Sequence, residues 1–565
     1  MNKRISQAAL IGLIACISQE GWAAKKIKGQ AVERERPAEW KNLVYGGRFM
    51  DRFEPMPDLG GMTSDTWGEV VPRDINNGLE HADWSYWGGN TLKRGGQYQL
   101  MVCRWPENDP KGHFAYHESI IVRAVSDSPF GPFTAQEEIG PGHNPTWYQT
   151  RSGKYVLYHT EGAYFADQPE GPWVSSELTY DTRGRLKKIS PNFLHNNTFA
   201  QREDGSFAMV NRHGYVWFSQ DGISPYSLVT PAPVYPPVEG RYEDPVIWKT
   251  DVQYHLIVND WYGRIAWYLR SPDGIRWKVE PGEAYQPGVA VHETGGKEEW
   301  FKYERIRVVQ DEYGRAHAAN FAVIDYDKHG DMGNDNHSSK LIVIPLTRGR
   351  RIEVLNAEKI SASTPIIRLK IKAEDGFNPH NDMDMESLRF GASDEVNFGR
   401  GSKLIKTEKD GEDLILVFEG RGNGFTDENF AGKLLGKTKE GKLLFGWSRL
   451  PGIAYIQPIL SARMPEFTKT QEGYNLSVEV QNFGQVVSEN GRVEILVEGV
   501  RVGAAVVPPL KPFEKTIVRM NTGATQIQRG QQEVMVRTDS GNQQIETLKR
   551  TISIPSQAVS KKERK

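Results

Sequence analysis

A repeat with a period near 50 residues is the feature that most constrains how this chain folds. Each copy is a short turn, usually carrying Gly, followed by a marker residue that is mostly aromatic and by an apolar strand. The markers are Tyr98, Tyr155, Phe207, Tyr254 and, in a weaker fifth copy, Ala316. Successive markers are 57, 52, 47 and 62 residues apart. A second element, a Gly/Pro turn closed by an aromatic residue, follows four copies at 126–133, 166–173, 219–226 and 271–277.

Two elements that repeat in phase predict a β-propeller. A small β-sheet cannot bury both of its faces alone, so several such sheets pack side by side around an axis. Five copies over residues 40–348 predict a five-bladed propeller that forms the catalytic domain. The alternative is a two-sheet sandwich whose periodicity is accidental.

The remaining third of the chain is predicted to be β-structure as well, so the fold class is all-β. Residues 349–460 are rich in strands and turns but lack the repeat, which predicts an accessory β-rich domain. Apolar and polar residues alternate with period two over 474–482 and 492–498, as in half-buried antiparallel strands. This pattern predicts an immunoglobulin-like β-sandwich over 465–555. The polar and basic tail, 556–565, is predicted to be disordered.

Residues 1–24 have the pattern of a signal peptide. Lys3 and Arg4 precede an apolar run, and small residues lie before position 24. Leu13-Ile14-Ala15-Cys16 resembles a bacterial lipobox, so Cys16 is either a lipid anchor or one apolar residue of the signal. Both interpretations predict an exported protein, whether periplasmic, secreted or an outer-membrane lipoprotein. The 70 Lys+Arg nearly balance the 72 Asp+Glu, which argues against a nucleic-acid partner.

The segments just before each marker define the candidate site. In a propeller, the innermost strand of every blade lines a central channel, so the beginnings of these strands converge at one mouth. The predicted catalytic residues at this mouth are the carboxylates Asp83, Asp244 and Glu304. The predicted substrate-binding residues are Trp87, Arg104, His143, Asn144, His195, Tyr242 and Arg305. Arg212 is a further candidate, with Arg104 and Arg305, for binding a sulfate or carboxylate substituent. His143 and His195 could instead tie blades together or hold an axial cation.

Four motifs resemble those of a known enzyme group: 243–248, Glu-Asp-Pro-Val-Ile-Trp; 123–133, which ends in Pro-Phe-Gly-Pro-Phe; 143–146, His-Asn-Pro-Thr; and 87–89, Trp-Gly-Gly. Over residues ~45–345 the chain resembles the five-bladed β-propeller glycoside hydrolases of families 43 and 117 and related bacterial exported glycosidases. The resemblance implies an inverting hydrolase with an Asp base, an Asp that modulates pKa and a Glu acid. Asp244 would be the modulator, Glu304 the acid and Asp83 the base. Asp51 is the second choice for the base, and His292 an alternative acid.

The predicted function is therefore an exported, exo-acting and inverting glycoside hydrolase that acts on oligosaccharides or polysaccharides. Anhydro-galactose of agar or carrageenan is preferred over arabinofuranose or xylose as the α-linked sugar released. In the predicted mechanism, burial and Asp244 raise the pKa of Glu304, which protonates the leaving oxygen while Asp83 activates water. No cofactor is required and no metal site is predicted, although a structural cation on the propeller axis is compatible with the sequence. The alternatives are a non-catalytic surface glycan-binding propeller and a scaffold for other proteins.

Overall fold

A computed structural model of the protein describes residues 32, 34–63, 70, 72–186, 189–331, 333, 339–523, 527–541 and 545–555. The predictions for residues 1–24, Cys16 and 556–565 fall outside these ranges. The regular secondary structure of the described chain consists almost entirely of strands, which confirms the all-β class. Its helical segments are single short turns: Ala38–Asn42, Phe49–Arg52, Gly112–Glu118, Pro191–Leu194 and Ser393–Val396. None of the helices in these ranges combines the length and apolar composition that crossing a membrane requires.

Five sheets follow one another along residues 84–345, after a two-stranded ribbon of β1 (Met62–Thr63) and β2 (Arg73–Asp74). The first sheet contains β3 (Trp84–Arg94), β4 (Gln97–Pro106), β5 (Ile120–Ser126) and β6 (Thr134–Pro141). The second contains β7 (Thr146–Gln149), β8 (Tyr155–His159), β9 (Gly162–Ala166) and β10 (Val174–Ser176). The third contains β11 (Tyr180–Asp181), β12 (Thr198–Gln201), β13 (Phe207–Val210), β14 (Val216–Ser219) and β15 (Tyr226–Leu228). The fourth contains β16 (Tyr242–Lys249), β17 (Tyr254–Asp260), β18 (Ile265–Ser271) and β19 (Lys278–Val279). The fifth contains β20 (Lys302–Gln310), β21 (Ala316–Ile324) and β22 (Ser339–Pro345).

The sequence repeat corresponds to one sheet. The marker residues lie at or next to the start of β4, β8, β13, β17 and β21. Each of these is the second strand of its sheet, except that the additional short strand β11 makes β13 the third strand of the third sheet. The Gly/Pro turns at 126–133, 166–173, 219–226 and 271–277 connect β5 with β6, β9 with β10, β14 with β15 and β18 with β19. Turn residues with positive φ and the buried strands that follow them therefore produce the periodicity.

One strand of each sheet, which we call its first strand because it directly precedes the marker, contacts its neighbours in a cycle: β3 with β7, β7 with β12, β12 with β16, β16 with β20, and β20 with β3. The fifth sheet has three strands of its own, and the segment before the first sheet pairs with its last strand. Leu79 forms a bridge with Leu341, and the Asn77 side chain exchanges two hydrogen bonds with the Val343 backbone at 2.9 and 2.8 Å. The chain thereby links its beginning to its fifth sheet. The five-bladed propeller itself stays a prediction.

A closed barrel of seven strands follows the five sheets. Its strands are β23 (Arg350–Val354), β24 (Ile366–Ile371), β25 (Met383–Gly391), β26 (Ser402–Asp410), β27 (Asp413–Glu419), β28 (Ala431–Thr438) and β29 (Leu443–Arg449). A single apolar core fills it, with Leu369, Phe390, Leu416 and Leu434 fully buried. The barrel occupies the segment for which an accessory β-rich domain is predicted.

Two further sheets form the C-terminal sandwich. One contains β30 (Leu460–Ala462), β31 (Glu466–Lys469), β32 (Tyr474–Asn482) and β35 (Lys515–Asn521). The other contains β33 (Gly491–Val497), β34 (Val500–Val507), β36 (Gly530–Asp539) and β37 (Ile545–Ile554). Their inward residues share one core, as the period-two alternation predicts. The immunoglobulin-like sandwich is therefore confirmed.

Candidate active site

A cavity of about 640 Å³ opens where the first strands of the five sheets begin. Its lining comes from all five sheets and from the short helix between β4 and β5. Carboxylates, histidines and cations lie side by side in it, together with the rings of Trp87 and Trp261. A concave site with convergent polar groups is the usual form of a small-molecule site.

Five residues at equivalent positions of the five sheets share an unusual backbone conformation. Gly88, Asn144, Asn196, Asp244 and Arg305 have φ values of 63°, 54°, 53°, 55° and 53°. Each lies ten or eleven residues before the marker of its repeat. In the first, fourth and fifth sheets the strand pairing shifts at this point, as in a β-bulge. Bulges re-aim side chains at sheet edges, and we call these five residues the left-handed ring.

Hydrogen bonds connect four of the five members of the left-handed ring. Asn144 Nδ2 donates to Asn196 Oδ1 and Asn196 Nδ2 donates to Asp244 Oδ1, both at 2.8 Å. Arg305 Nη1 donates to Asp244 Oδ1 at 2.8 Å, and Arg305 Nη2 donates to the Asn144 carbonyl at 3.3 Å. A Cβ atom at Gly88 would lie 3.2 Å from Asn144 Oδ1, so a larger residue there would press on the Asn144 side chain. The network fixes the buried Asp244 carboxylate beside a permanent cation.

The residues that immediately precede the ring members all line the cavity. They are Trp87, His143, His195, Glu243 and Glu304, and we call them the cavity set. Because each precedes a residue with the same left-handed backbone, the five side chains enter the cavity at equivalent points of their sheets. The fold thus brings together one aromatic ring, two imidazoles and two carboxyls.

The environment of Glu243 raises the pKa of its carboxyl group. Its Oε1 accepts hydrogen bonds from Asn196 Nδ2 at 3.0 Å and lies 2.9 Å from Arg212 Nη2. Burial and the neighbouring Asp244 charge, with a smaller contribution from Glu304, raise the pKa of Glu243 to about 7, against the opposing effect of Arg212. Near neutral pH this carboxyl can therefore both hold and release a proton.

Glu304 has the opposite character. Lys328 Nζ lies 2.6 Å from its Oε2 and Lys302 Nζ lies 3.2 Å from its Oε1. Burial alone would raise the pKa of Glu304, but the two ammonium groups outweigh it and lower the pKa to about 2. The predicted rise in the pKa of Glu304 is therefore wrong. Glu304 is ionised at neutral pH.

The histidines of the cavity set are held as neutral groups. His143 Nδ1 lies 3.3 Å from Ser119 Oγ, and the Tyr116 ring lies 4.6 Å from the imidazole. Burial and the Arg305 charge hold the pKa of His143 well below its usual value. Burial and Arg212 also lower the pKa of the half-buried His195. Neutral imidazoles can donate or accept hydrogen bonds from a polar ligand without adding charge.

The structure brings most of the predicted site residues to this cavity. Those that line it are Trp87, His143, Asn144, His195, Asp244, Glu304 and Arg305, together with Arg212. Their catalytic and binding roles stay predictions. Two further tryptophans, Trp105 and Trp147, are buried in the protein core and do not line the cavity.

Asp83 does not join the other two carboxylates. Its side chain is 82% exposed and lies 3.8 Å from His81, because Asp83 precedes β3 by one residue, whereas the cavity opens at Trp87. The predicted convergence of the carboxylates of residues 83, 244 and 304 is therefore wrong for Asp83. The structure places Glu243 with Asp244 and Glu304 instead.

Arg104 and Tyr242 also lie away from the cavity. Arg104 stacks on Trp84 at 4.0 Å and pairs with Glu138 at 2.8 Å. The Tyr242 ring lines a neighbouring open groove that shares Arg212 and Trp261 with the cavity. It is therefore placed to contact only a ligand that extends beyond the cavity.

Asp51, the second choice for the base, and His292, the alternative acid, have hydrogen-bond partners away from the cavity. The Asp51 carboxylate accepts hydrogen bonds from the backbone of Gly46 and Arg48, and His292 Nε2 lies 3.1 Å from Glu298. Neither residue lines the cavity.

Sequence reasoning missed Glu243, Asn196, Lys302 and Lys328. The phase of the repeat contains the signal for the first two, because Glu243 stands in the cavity set and Asn196 in the left-handed ring. Nothing in the repeat marks Lys328, which follows β21 and reaches back to Glu304. Among the described residues, no group of three His, Cys, Asp or Glu side chains is arranged to hold a metal ion.

Comparisons with known proteins give a family match over the C-terminal sandwich and a set of structural neighbours. The CARDB family model matches residues 459–550. No curated protein sequence matches the chain. The structural neighbours are glycoside hydrolases of families 117 and 43 and others.

Three of these neighbours illustrate the degree of similarity. A family 117 glycoside hydrolase from the marine bacterium Zobellia galactanivorans is 10% identical, covers 52% of this chain and 88% of its own, and has a TM-score of 0.35. A GH43_1 enzyme from Xanthomonas citri is 11% identical, with coverages of 46% and 88% and a TM-score of 0.30. A glycosyl hydrolase from Bacteroides ovatus is 12% identical, with coverages of 55% and 92% and a TM-score of 0.31. Similarity this low does not define an activity.

Proposed function

We propose that the protein is a glycoside hydrolase in which Glu243 is the general acid and Glu304 is the ionised carboxylate that activates water. The observation that carries this proposal is the separation of two pKa values within one cavity, about 7 for Glu243 and about 2 for Glu304. Environments that push two carboxyl pKa values apart are typical of acid and base pairs that act together at neutral pH. Glycoside hydrolysis generally uses such a pair.

Asp244 modulates the acid in this proposal. Its negative charge raises the pKa of Glu243, while Arg305 and Asn196 hold the Asp244 carboxylate in place at 2.8 Å. The role predicted for Asp244 is thereby kept, but the group that it modulates is Glu243 rather than Glu304.

The proposed reaction is a single displacement at the anomeric carbon. Glu243 donates its proton to the glycosidic oxygen as the bond to the anomeric carbon breaks. Glu304 accepts a proton from the water whose oxygen forms the new bond. Glu243 is then ionised and Glu304 protonated, and proton exchange with solvent restores their starting states. Such a mechanism inverts the anomeric configuration.

The finer assignments are part of the same proposal. The cyclic contacts between the first strands support five blades around one axis. An exported, exo-acting enzyme that releases an α-linked sugar is proposed from the sequence motifs, with anhydro-galactose of red-algal galactan ahead of arabinofuranose and xylose. Export and a lipid anchor at Cys16 rest on the N-terminal sequence alone.

The experiment is a screen of red-algal and plant cell-wall oligosaccharides in which proton NMR follows the anomer released. On a natural substrate, Glu243→Gln should lower kcat by about 10²–10⁴-fold. On a glycosyl fluoride the variant should keep most of its activity, because fluoride leaves without a proton. Glu138→Gln, outside the cavity, is the matched control. Equal losses of Glu243→Gln on both substrates, or release of the retained anomer, would overturn the mechanism.

A second candidate is a non-catalytic glycan-binding protein. The observation that favours it is the pairing of Glu304 with two lysines, which weakens this carboxylate as a base. That function predicts oligosaccharide binding without turnover, and equal affinity in the wild type and in Glu243→Gln.

A further inference from the structure

A second cavity, of about 330 Å³, lies between the far ends of the fourth and fifth sheets and the seven-stranded barrel. The sheets contribute the turn after β16 and the start of β21, and the barrel contributes β23 and β29. Thr250 lines it, six residues along the chain from Asp244, so about 20 Å separates the two sites at ~3.3 Å per residue. The proposed hydrolysis makes no use of this cavity.

The lining of this second cavity is strongly basic. Five of its lining residues are Arg or Lys and two are Asp or Glu. Arg315 pairs with Asp311 at 2.8 Å, and Lys372 pairs with Asp413 at 2.8 Å. By contrast, no carboxylate among the described residues lies within 4 Å of the guanidinium groups of the other three cations, Arg52, Arg350 and Arg351.

Arg52 is the most deeply buried of these three cations, since the residue is only 9% exposed. It donates hydrogen bonds to the carbonyls of Ala316 and Thr347 at 3.2 and 3.3 Å, and it stacks on Phe445 at 4.7 Å. Burial lowers the pKa of Arg52 to about 10, so the group is still charged at neutral pH. A buried cation without a counter-ion is costly, and an anionic ligand would remove that cost.

The other two guanidinium groups are held in fixed positions by aromatic rings. Arg350 lies over Phe377 at 4.0 Å and Arg351 lies over Tyr313 at 3.8 Å. Planar guanidinium groups held in this way can bind a carboxylate or sulfate with paired hydrogen bonds. An inorganic anion would fill only a small part of the volume, which has the size of a small-molecule site, and Trp447 adds an aromatic surface to the wall.

We propose that this second cavity binds an anionic ligand of monosaccharide size, whose carboxylate or sulfate ester is held by Arg52, Arg350 and Arg351. The cavity would therefore recognise an acidic sugar at a place remote from Glu243 and Glu304. The proposal stands on the cavity and its unpaired cations and does not depend on hydrolysis.

Isothermal titration calorimetry of the full chain tests it, with galacturonate, galactose 6-sulfate, neutral galactose and inorganic sulfate as the probes. We expect at least one of the two acidic sugars to bind with a Kd of about 1 mM or tighter, and at least 10-fold more tightly than neutral galactose or inorganic sulfate. Comparison of the two acidic sugars identifies the acid group. The double variant Arg350→Gln, Arg351→Gln should weaken binding about 10–100-fold. Both residues are only half-buried, which spares the buried Arg52.

The matched control is Arg348→Gln, in the same segment but outside the cavity, which should bind as the wild type does. Glu243→Gln should also bind as the wild type does, because it alters only the first cavity. Undiminished binding by the double variant would overturn the proposal. So would equal binding of galactose and its acidic derivatives, or the absence of binding by all four probes.

Discussion

Replacing Arg212 by Gln should raise the pKa of Glu243 further. The Arg212 guanidinium lies 2.9 Å from Glu243 Oε1, and its positive charge lowers the pKa of that carboxyl against burial and Asp244. The two side chains are 27% and 20% exposed, so the pair is worth about 1 kcal/mol. Since 1.36 kcal/mol corresponds to one pKa unit, we expect an upward shift of about 0.5–1 unit.

The shift can be measured by difference infrared titration of the protonated carboxyl, with Glu243→Gln as the blank. Where a substrate is found, the alkaline limb of kcat should move upward by the same amount. Arg241→Gln is the matched control, because Arg241 stacks on Trp261 at 4.7 Å rather than pairing with Glu243. A downward shift, or no shift while the control behaves as expected, would refute the electrostatic account of Glu243.

The same substitution has a consequence for stability. The pKa of Glu243 in the folded protein is about 7, above the ordinary value of 4.5. Its contribution to stability is therefore complete below pH 4.5 and is lost as the pH rises through 7. In Arg212→Gln that loss extends to higher pH, so the variant should match the wild type below pH 4.5 and be less stable by about 1 kcal/mol at pH 9.

Three further predictions concern stability. Glu304→Gln should lower the free energy of unfolding by about 2–3 kcal/mol at pH 7. Calorimetry should show this difference shrinking as the pH falls from 4.5 to 2, because Glu304, with its lowered pKa, stabilises the fold only while it is ionised. A difference independent of pH would contradict this. Gly88→Ala should lower Tm more than Gly95→Ala does. Both glycines have positive φ, but only the new Cβ at Gly88 meets neighbouring atoms. Equal decreases in Tm would argue against a tightly packed left-handed ring. Arg183→Ala should give the C-terminal sandwich a separate, earlier melting transition, since the buried Arg183 donates to the Ser461 carbonyl at 2.9 Å; a single unchanged transition would show that this contact does not couple the two parts.

The repeat could be predicted from the sequence because its signals are local. A Gly turn followed by Tyr155 or Phe207 specifies a strand start within a few residues, and the structure places a strand start at each. The period-two alternation in 474–482 specifies the sandwich strands for the same reason.

The left-handed ring was also predictable in principle. Gly, Asn and Asp tolerate positive φ better than other residues do, and Gly88, Asn144, Asn196 and Asp244 recur at one phase of the repeat. The residue just before each of these positions lines the cavity, and in the fourth sheet that residue is Glu243. Asp83 is a carboxylate near this position, but it lies five residues before Gly88 and therefore outside that phase.

The electrostatics could not be predicted from local sequence. The pKa of Glu304 depends on Lys328, 24 residues away along the chain. The wall against His143 is formed by Tyr116, from the helix that connects β4 and β5. Such contacts depend on loop conformations that no periodic pattern specifies.

The pairing of Leu79 with Leu341 has a consequence for synthesis. A chain leaving the ribosome exposes Leu79 long before Leu341 exists, so the segment around Leu79 has no partner until about 260 further residues have emerged. Contacts between such distant residues form slowly, because a long loop must close before they are gained. Nascent chains stalled before residue 341 should therefore leave strand edges open to self-association, which makes completion of the fifth sheet the step most exposed to aggregation.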